Sequence, residues 1–402
     1  MPENVWFVAA IWMGLALVAS LISIRLGISV ALIEILVGIL AGNYLGLHGT
    51  TEWINFLAML GSGVLTFLAG AEIDPVTLRA NIKSSATIGI LSFALPFIGV
   101  WMFAQHVAGW SLHQAQIAGI SLSTTSVAVV YAVLVEKRLS DTALGKMILA
   151  ACFITDLGTV VALGILFADF NKWLVIFVLV TAVVLWFMPA WTKSTIDRLG
   201  ARRISEPEVK FIFLVLFFLG GLATTARSEA VLPAYLVGLV VAGVFLRDKT
   251  LVFRMRSIAF AMFTPFYFIK AGLYVAVPAI WQSLGLIAIL MCLKIGTKII
   301  GVWPACKVFK MRTRESNYTT LLMATGLTFG TISALFGLQN KIITQAQYTV
   351  LVTVVILSAV IPTLIAQAFF EPDEDRAKAW KVAAVTSETH LQQEAAISEV
   401  NE

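Results

Sequence analysis

Charge is what this sequence has least of. Only 13% of its 402 residues are Asp, Glu, Lys or Arg, about half the roughly 25% typical of soluble domains. Hydrophobic residues make up 59%, and mean hydropathy is +0.91. A water-soluble core cannot hide that much apolar surface, so lipid is the solvent for much of the chain. Cysteine is nearly missing. Cys152, Cys292 and Cys306 lie in or at the end of apolar runs, show no metal-ligand spacing and, being odd in number, argue against a disulfide framework. The four histidines (His48, His106, His113 and His390) include no pair at metal-binding spacing and suit surface positions. No Gly-x-Gly-x-x-Gly run follows a strand-like segment, so no nucleotide-binding domain is expected in this chain. Basic residues are spread between apolar runs rather than gathered in a patch, which argues against nucleic acid as a partner. Nothing resembles a catalytic dyad, so an enzyme is not expected either. The N-terminus lacks a basic segment and a small-residue cleavage site, and the first apolar run is expected to remain in the mature protein.

What is present is a long series of apolar runs. Thirteen windows approach the roughly 20 residues that cross a bilayer. They run about 5–24, 28–47, 54–71, 84–105, 114–135, 144–168 and 172–192, then 209–226, 231–246, 257–276, 281–304, 317–337 and 344–369. The loops test the count. With the N-terminus outside, 22 of the 28 basic residues fall in the cytoplasmic loops, the adjoining helix ends and the C-terminal tail. Lys172, Arg227 and Lys341 fall outside, and Lys270, Lys294 and Lys298 fall within spans. That alternation follows the positive-inside rule and predicts an outside N-terminus and a cytoplasmic C-terminus. The division expected is a membrane domain over residues 1–370 and a short polar tail over 371–402, partly helical or disordered.

Two of the windows look interrupted. Segment five carries Leu122-Ser-Thr-Thr-Ser-Val-Ala-Val-Val, and segment twelve carries Leu327-Thr-Phe-Gly-Thr-Ile-Ser-Ala-Leu. Segment three ends Phe67-Leu-Ala-Gly-Ala-Glu72, and segment ten holds Phe268-Ile-Lys-Ala-Gly-Leu273. Three stands to five as ten stands to twelve. The offset of seven helices is odd, which predicts two halves inverted relative to each other, the arrangement of many secondary transporters. Unwound backbone at membrane depth is tolerable only where it lines a cavity or is buried in protein. Hydroxyl clusters of this kind also back-bond to helix carbonyls or join helices, which is the plainer use.

Asp156 lies mid-span in Phe153-Ile-Thr-Asp-Leu-Gly158. A carboxylate at helix centre costs roughly 2.5–3.5 kcal/mol on insertion scales and points to function, with structural pairing the alternative. Desolvation makes the bare anion unfavourable, so proton and metal cation compete for it. A hard alkali cation takes oxygen ligands, and Thr155, Thr125 and Ser126 are candidates to supply them. Lys298, with Lys294 one turn earlier on the same face, is a candidate countercharge or partner for the helix breaks. Lys270 and Glu34 suit structural or gating roles. Glu72 and Asp74 close segment three, and Glu72 is a candidate for a cytoplasmic funnel attracting cations.

At these residues the chain resembles the monovalent cation:proton antiporter family two, on the branch of NapA-like bacterial sodium/proton antiporters. The motifs are Ile35-Leu-Val-Gly-Ile-Leu-Ala-Gly42, Phe67-Leu-Ala-Gly-Ala-Glu-Ile-Asp74, Thr125-Ser-Val-Ala-Val129, Asp156, and Lys298-Ile-Ile-Gly301 with Lys307. Their order covers nearly all of the chain to about Phe370. The resemblance implies an all-α membrane protein of NhaA/NapA-like fold in a bacterial inner membrane. It also implies a homodimer with a panel of helices 1–3 and 8–10, a linker helix 7 and a moving core of helices 4–6 and 11–13. Na+ is the implied cargo, with Li+ or K+ as others, exchanged for H+ without a cofactor. Two residues depart from the family's pattern. Electrogenic relatives carry two adjacent aspartates where this chain has Thr155-Asp156, and many carry an acid where Thr331 follows Gly330. With a single carboxylate, one-for-one, electroneutral exchange is the simpler cycle; loss of a proton from Lys298 on cation binding would instead exchange two protons per cation. Related alternatives are a K+ efflux system of the same family, whose usual nucleotide-binding domain is missing here, and a sodium-coupled organic-anion symporter of similar architecture.

Overall fold

The computed structural model describes residues 4–372 apart from 27–28, 48–49, 72, 74–81, 138, 141, 168–171, 200–205, 227–230 and 248. Glu72, Asp74 and the tail beyond 372 lie outside the described residues. Helix is the only regular structure among those described. In lipid every backbone N–H and C=O must find an internal partner, and a helix provides one within a single segment.

The first four helices are α1 (Val5–Leu26), α2 (Val30–Tyr44), α3 (Glu52–Ala71) and α4 (Ile82–His106). A broken helix follows as α5 (Leu112–Ser123) and α6 (Val127–Glu136), then α7 (Ala143–Leu166), α8 (Lys172–Leu199), α9 (Pro207–Thr225) and α10 (Val231–Arg247). α11 (Lys249–Ile258) passes through a π-helical turn (Ala259–Phe263) into α12 (Thr264–Leu273). A short α13 (Val277–Gln282) precedes α14 (Leu284–Val308). The second broken helix is α15 (Thr313–Met323) with α16 (Thr328–Gln339), and α17 (Gln345–Phe370) closes the described chain. Ten segments, each broken helix taken as one, are long and apolar enough to cross a membrane; Val30–Tyr44 and Val231–Phe245 are shorter apolar helices.

Two buried apolar clusters divide the helices. One joins Ile88 of α4, Val130 of α6, Met147 of α7, Val302 of α14, Leu322 of α15 and Ala366 of α17. The other joins Phe67 of α3, Met188 of α8, Ile212 of α9, Val241 of α10 and Met255 of α11. A third cluster bridges them. Apolar side chains also cover the outside, among them Trp6, Ile24, Trp186 and Phe253, as expected where lipid rather than water is the neighbour.

Glycines set the spacing of two helix pairs, α2 with α12 and α3 with α10. Small residues let membrane helices approach backbone to backbone, where packing supplies the attraction that water does not. A methyl on Gly38 of α2 would run into Ile269 O of α12, and one on Gly272 of α12 into Ile35 O of α2. Gly70 of α3 and Gly238 of α10 oppose each other in the same way, against Tyr235 O and Phe67 O. Gly38→Ala is therefore expected to cost about 1–3 kcal/mol of packing and to lower the melting temperature in detergent. Gly14→Ala, at a site with nothing within 4 Å of the added carbon, should leave it unchanged.

Candidate functional site

Both helix breaks arise from hydroxyls that take over backbone bonding. Ser123 Oγ donates to Ile120 O at 2.9 Å and Thr124 Oγ1 to Ser121 O at 3.2 Å. These bonds occupy carbonyls at the end of α5 that lack helical partners. Ser126 then starts α6, its Oγ accepting from Val129 N at 3.4 Å, as an N-cap does. In the second break Thr325 Oγ1 donates to Leu322 O at 2.8 Å, and Thr331 Oγ1 to Leu327 O at 2.7 Å. The breaks bond to each other: Ser126 N donates to Thr325 O at 3.1 Å, and Thr125 Oγ1 to Met323 O at 2.8 Å. Residues 121–126 are wholly buried. The unwound backbone thus finds in a second unwound segment the partners that lipid would deny it.

Asp156 sits on α7 with 1% exposure, and its Oδ1 has no hydrogen-bond partner. It lines a cavity of about 620 Å³ together with Val127, Ala128, Thr328 and Phe329. Those four residues are the first turns of α6 and α16, so two helix N-termini, each a partial positive charge, border the cavity that holds the carboxylate. The cavity walls are mostly apolar, from Leu65, Leu68, Phe153 and Phe260, and the lining also includes Lys146 and the exposed Arg256. A second cavity of about 100 Å³ is lined by Ala58, Ser62, Tyr267, Ile332 and Gln339. The two lie toward opposite ends of α3, which lines the larger with Leu65, Leu68 and Ala71 and the smaller with Ala58 and Ser62.

Lys298 of α14 is also fully buried, and its three protons all have acceptors. Nζ donates to Ser92 Oγ at 2.7 Å, Ser123 O at 2.8 Å and Thr125 Oγ1 at 3.1 Å. It forms no ion pair within 4 Å of Asp156 among the described residues. The lysine therefore binds the end of α5 and the first break directly. Thr155 turns away from the cavity toward α4, with Oγ1 donating to Ala151 O at 3.0 Å and reaching Gly89 O at 3.3 Å. Thr125 is engaged with Met323 and Lys298, and Ser126 caps α6. Lys270 of α12 and Glu34 of α2 are both buried, in two helices that pack against each other.

Two participants carry no local sequence signal. Ser92 looks like any small residue of α4 until Lys298, 206 positions away, is seen to bond it. Tyr235 donates its hydroxyl to Phe153 O at 2.9 Å and meets Phe329 edge-on at 6.3 Å between ring centroids. This fixes α10 against α7 and α16 beside the cavity.

Residues 13–371 match the family described as "Sodium/hydrogen exchanger, transmembrane". A probable Na+/H+ antiporter 3 of Methanocaldococcus jannaschii is 25% identical over 348 residues, covering 83% of this chain and 88% of the relative. The Na+/H+-K+ antiporter GerN of Bacillus cereus is 25% identical over 362 residues, covering 88% and 93%. Among solved structures, the sodium proton antiporter MjNhaP1 of Methanocaldococcus jannaschii at pH 8 superposes with a TM-score of 0.65 at 17% identity. That superposition covers 92% of this chain and all of the other, a likeness of fold.

Proposed function

This chain belongs to the sodium/hydrogen exchanger family, and from that premise we propose that it exchanges a monovalent cation, Na+ first, for protons across the membrane. The observation that carries the reading is the buried carboxylate of Asp156, with one oxygen unpartnered, at an accessible cavity between two helix N-termini. Families of this kind are transporters and not enzymes, and the chemistry needed is only that one site hold either of two cations. A proton on Asp156 neutralises it; a dehydrated Na+ does the same with help from oxygens near the breaks. Lys298 keeps its charge throughout, because Ser92, Ser123 and Thr125 accept hydrogen bonds from all three of its protons. One charge leaves as one enters, so the cycle is electroneutral.

Alternating access follows from the two unequal cavities at opposite ends of α3. The cavity of about 620 Å³ is taken as open to the cytoplasm, and that of about 100 Å³ as the closed outer path. α4–α7 with α14–α17 form the moving core, and α1–α3 with α9–α12 the panel that pairs with a second copy. The ten full-length and two shorter apolar segments, with α11–α12 taken as a further span, support thirteen crossings. An odd number puts the two termini on opposite faces, and the basic residues of the loops support an outside N-terminus and an inside C-terminus, in a bacterial inner membrane. K+ enters as a second cargo because the relative GerN is named for it.

The test is exchange in proteoliposomes. An imposed Na+ gradient should drive proton movement, read by a pH-sensitive dye, at a rate unchanged by a potassium-valinomycin clamp, since moving one net charge against 100 mV would cost about 2.3 kcal/mol. A rate that follows the clamp rejects one-for-one exchange, and no dye response to Na+, Li+ or K+ rejects the transport reading.

A further inference from the structure

α14 carries two buried lysines one turn apart, and only one has its hydrogen bonds accounted for. Lys298 donates to three oxygens at the first break. Lys294 is equally buried, yet its Nζ has no hydrogen-bond partner, and it lies one turn from Lys298 on the same helix. A buried cation beside a like charge is costly unless an opposite charge or dipole offsets it.

The Lys294 ammonium lies against Gly326, in the unwound stretch after α15. A methyl group there would collide with Lys294 Nζ and come within 3.1 Å of Thr124 Oγ1 and 3.2 Å of Ser358 Oγ. The lysine therefore ends against the second break, just past the last helical residue Met323, where the C-terminal half-dipole of α15 is negative. Lys298 lies at the corresponding end of α5, where, unlike Lys294, it has a carbonyl acceptor in Ser123 O. Each lysine thus meets the C-terminal end of one broken helix, while the first turns of α6 and α16 border the cavity of Asp156.

We propose that Lys294 is a positioning residue: its charge fixes the break between α15 and α16 and so holds the N-terminus of α16 beside Asp156. Gly326 is the matching element, since any side chain would displace the ammonium. Lys294 touches neither the cation nor the carboxylate, and its loss changes how fast the site turns over rather than how tightly it takes Na+.

The inference rests on the exchange reading for its kinetic arm and stands apart from it in a second arm. In proteoliposomes Lys294→Met should lower maximal exchange at least tenfold and leave the KM for Na+ within threefold of wild type. Lys294→Gln should match it, and Lys294→Arg should recover part of the rate. Gly326→Ala, which keeps the charge but moves it, should show the same loss, and adding it to Lys294→Met should cause no further loss. Hydrogen exchange should show faster amide exchange across residues 324–329 in Lys294→Met, a readout that needs no transport. Unchanged rates and amide exchange in the lysine variants, or wild-type exchange in Gly326→Ala, would overturn the proposal. A raised KM with the maximal rate preserved would overturn it too, by placing Lys294 on the cation. A wild-type protein that moves no cation rejects the exchange reading instead, and the amide measurement still decides this one. If the lysine variants do not fold, Gly326→Ala decides it alone.

Discussion

Asp156→Asn is expected to reduce cation-for-proton exchange to the level of empty liposomes. Asparagine is close in size and keeps an acceptor oxygen, so α7 should still pack and the protein should still purify as a folded species. What disappears is the negative charge, and with it both cargoes: the amide neither takes up a proton near neutral pH nor neutralises a dehydrated cation. Asp156→Glu should retain partial exchange, since it keeps the carboxylate while pushing it one methylene further into the cavity shared with Val127 and Thr328. The same geometry sets the pH response. If one carboxylate holds either cargo, proton and cation compete. The apparent KM for Na+ should then rise about tenfold per unit fall in pH wherever the carboxyl is mostly protonated, with the maximal rate unchanged at saturating Na+. Residual exchange in Asp156→Asn would place the site elsewhere.

The second large effect falls on Lys298. Lys298→Met removes three charge-assisted hydrogen bonds at once and leaves the buried Ser92 Oγ, Ser123 O and Thr125 Oγ1 short of a donor. Removing one partner from a buried charged network typically costs about 3–5 kcal/mol. The expected result is a clear fall in melting temperature in detergent together with a loss of exchange of at least tenfold. Ser92→Ala, which removes one of the three acceptors, should lower stability by a smaller amount, about 1.5–3 kcal/mol. A Lys298→Met protein as stable as wild type would mean that the lysine does not hold the first break.

The placement of these residues shows which parts of the arrangement a sequence can carry. The interruption at Ser123-Thr-Thr-Ser126 was legible because hydroxyls in an apolar run are a local competitor for helix carbonyls, and the structure puts those hydroxyls on those carbonyls. Asp156 was legible because a lone carboxylate in a long apolar helix is costly wherever it points. Direction was harder to read. Thr155 adjoins Asp156 in sequence, but successive residues on a helix lie about 100° apart, and its hydroxyl ends on Gly89 and Ala151 rather than in the cavity. The two lysines of α14 share a face, and nothing local separates them. Their different partners come from α4 and the breaks, between 32 and 206 positions away along the chain. Ser92 and Tyr235 gave no signal for the same reason, since each matters only through one distant contact. Glu72, read as part of a cation funnel, lies outside the described residues.

The cross-bonding of the two breaks sets the smallest unit of this protein that can be inherited or exchanged intact. Ser126 gives its amide proton to Thr325, and Thr125 gives its hydroxyl proton to Met323, so neither interrupted helix is complete without the other. A recombinant that takes residues 112–136 from a relative while keeping its own 313–339 joins two loops that have never been matched. Taking both stretches together preserves every bond between them. Gene shuffling within this family should therefore recover active chimeras chiefly when the two distant segments travel together, although nearly 200 residues separate Thr125 from Met323.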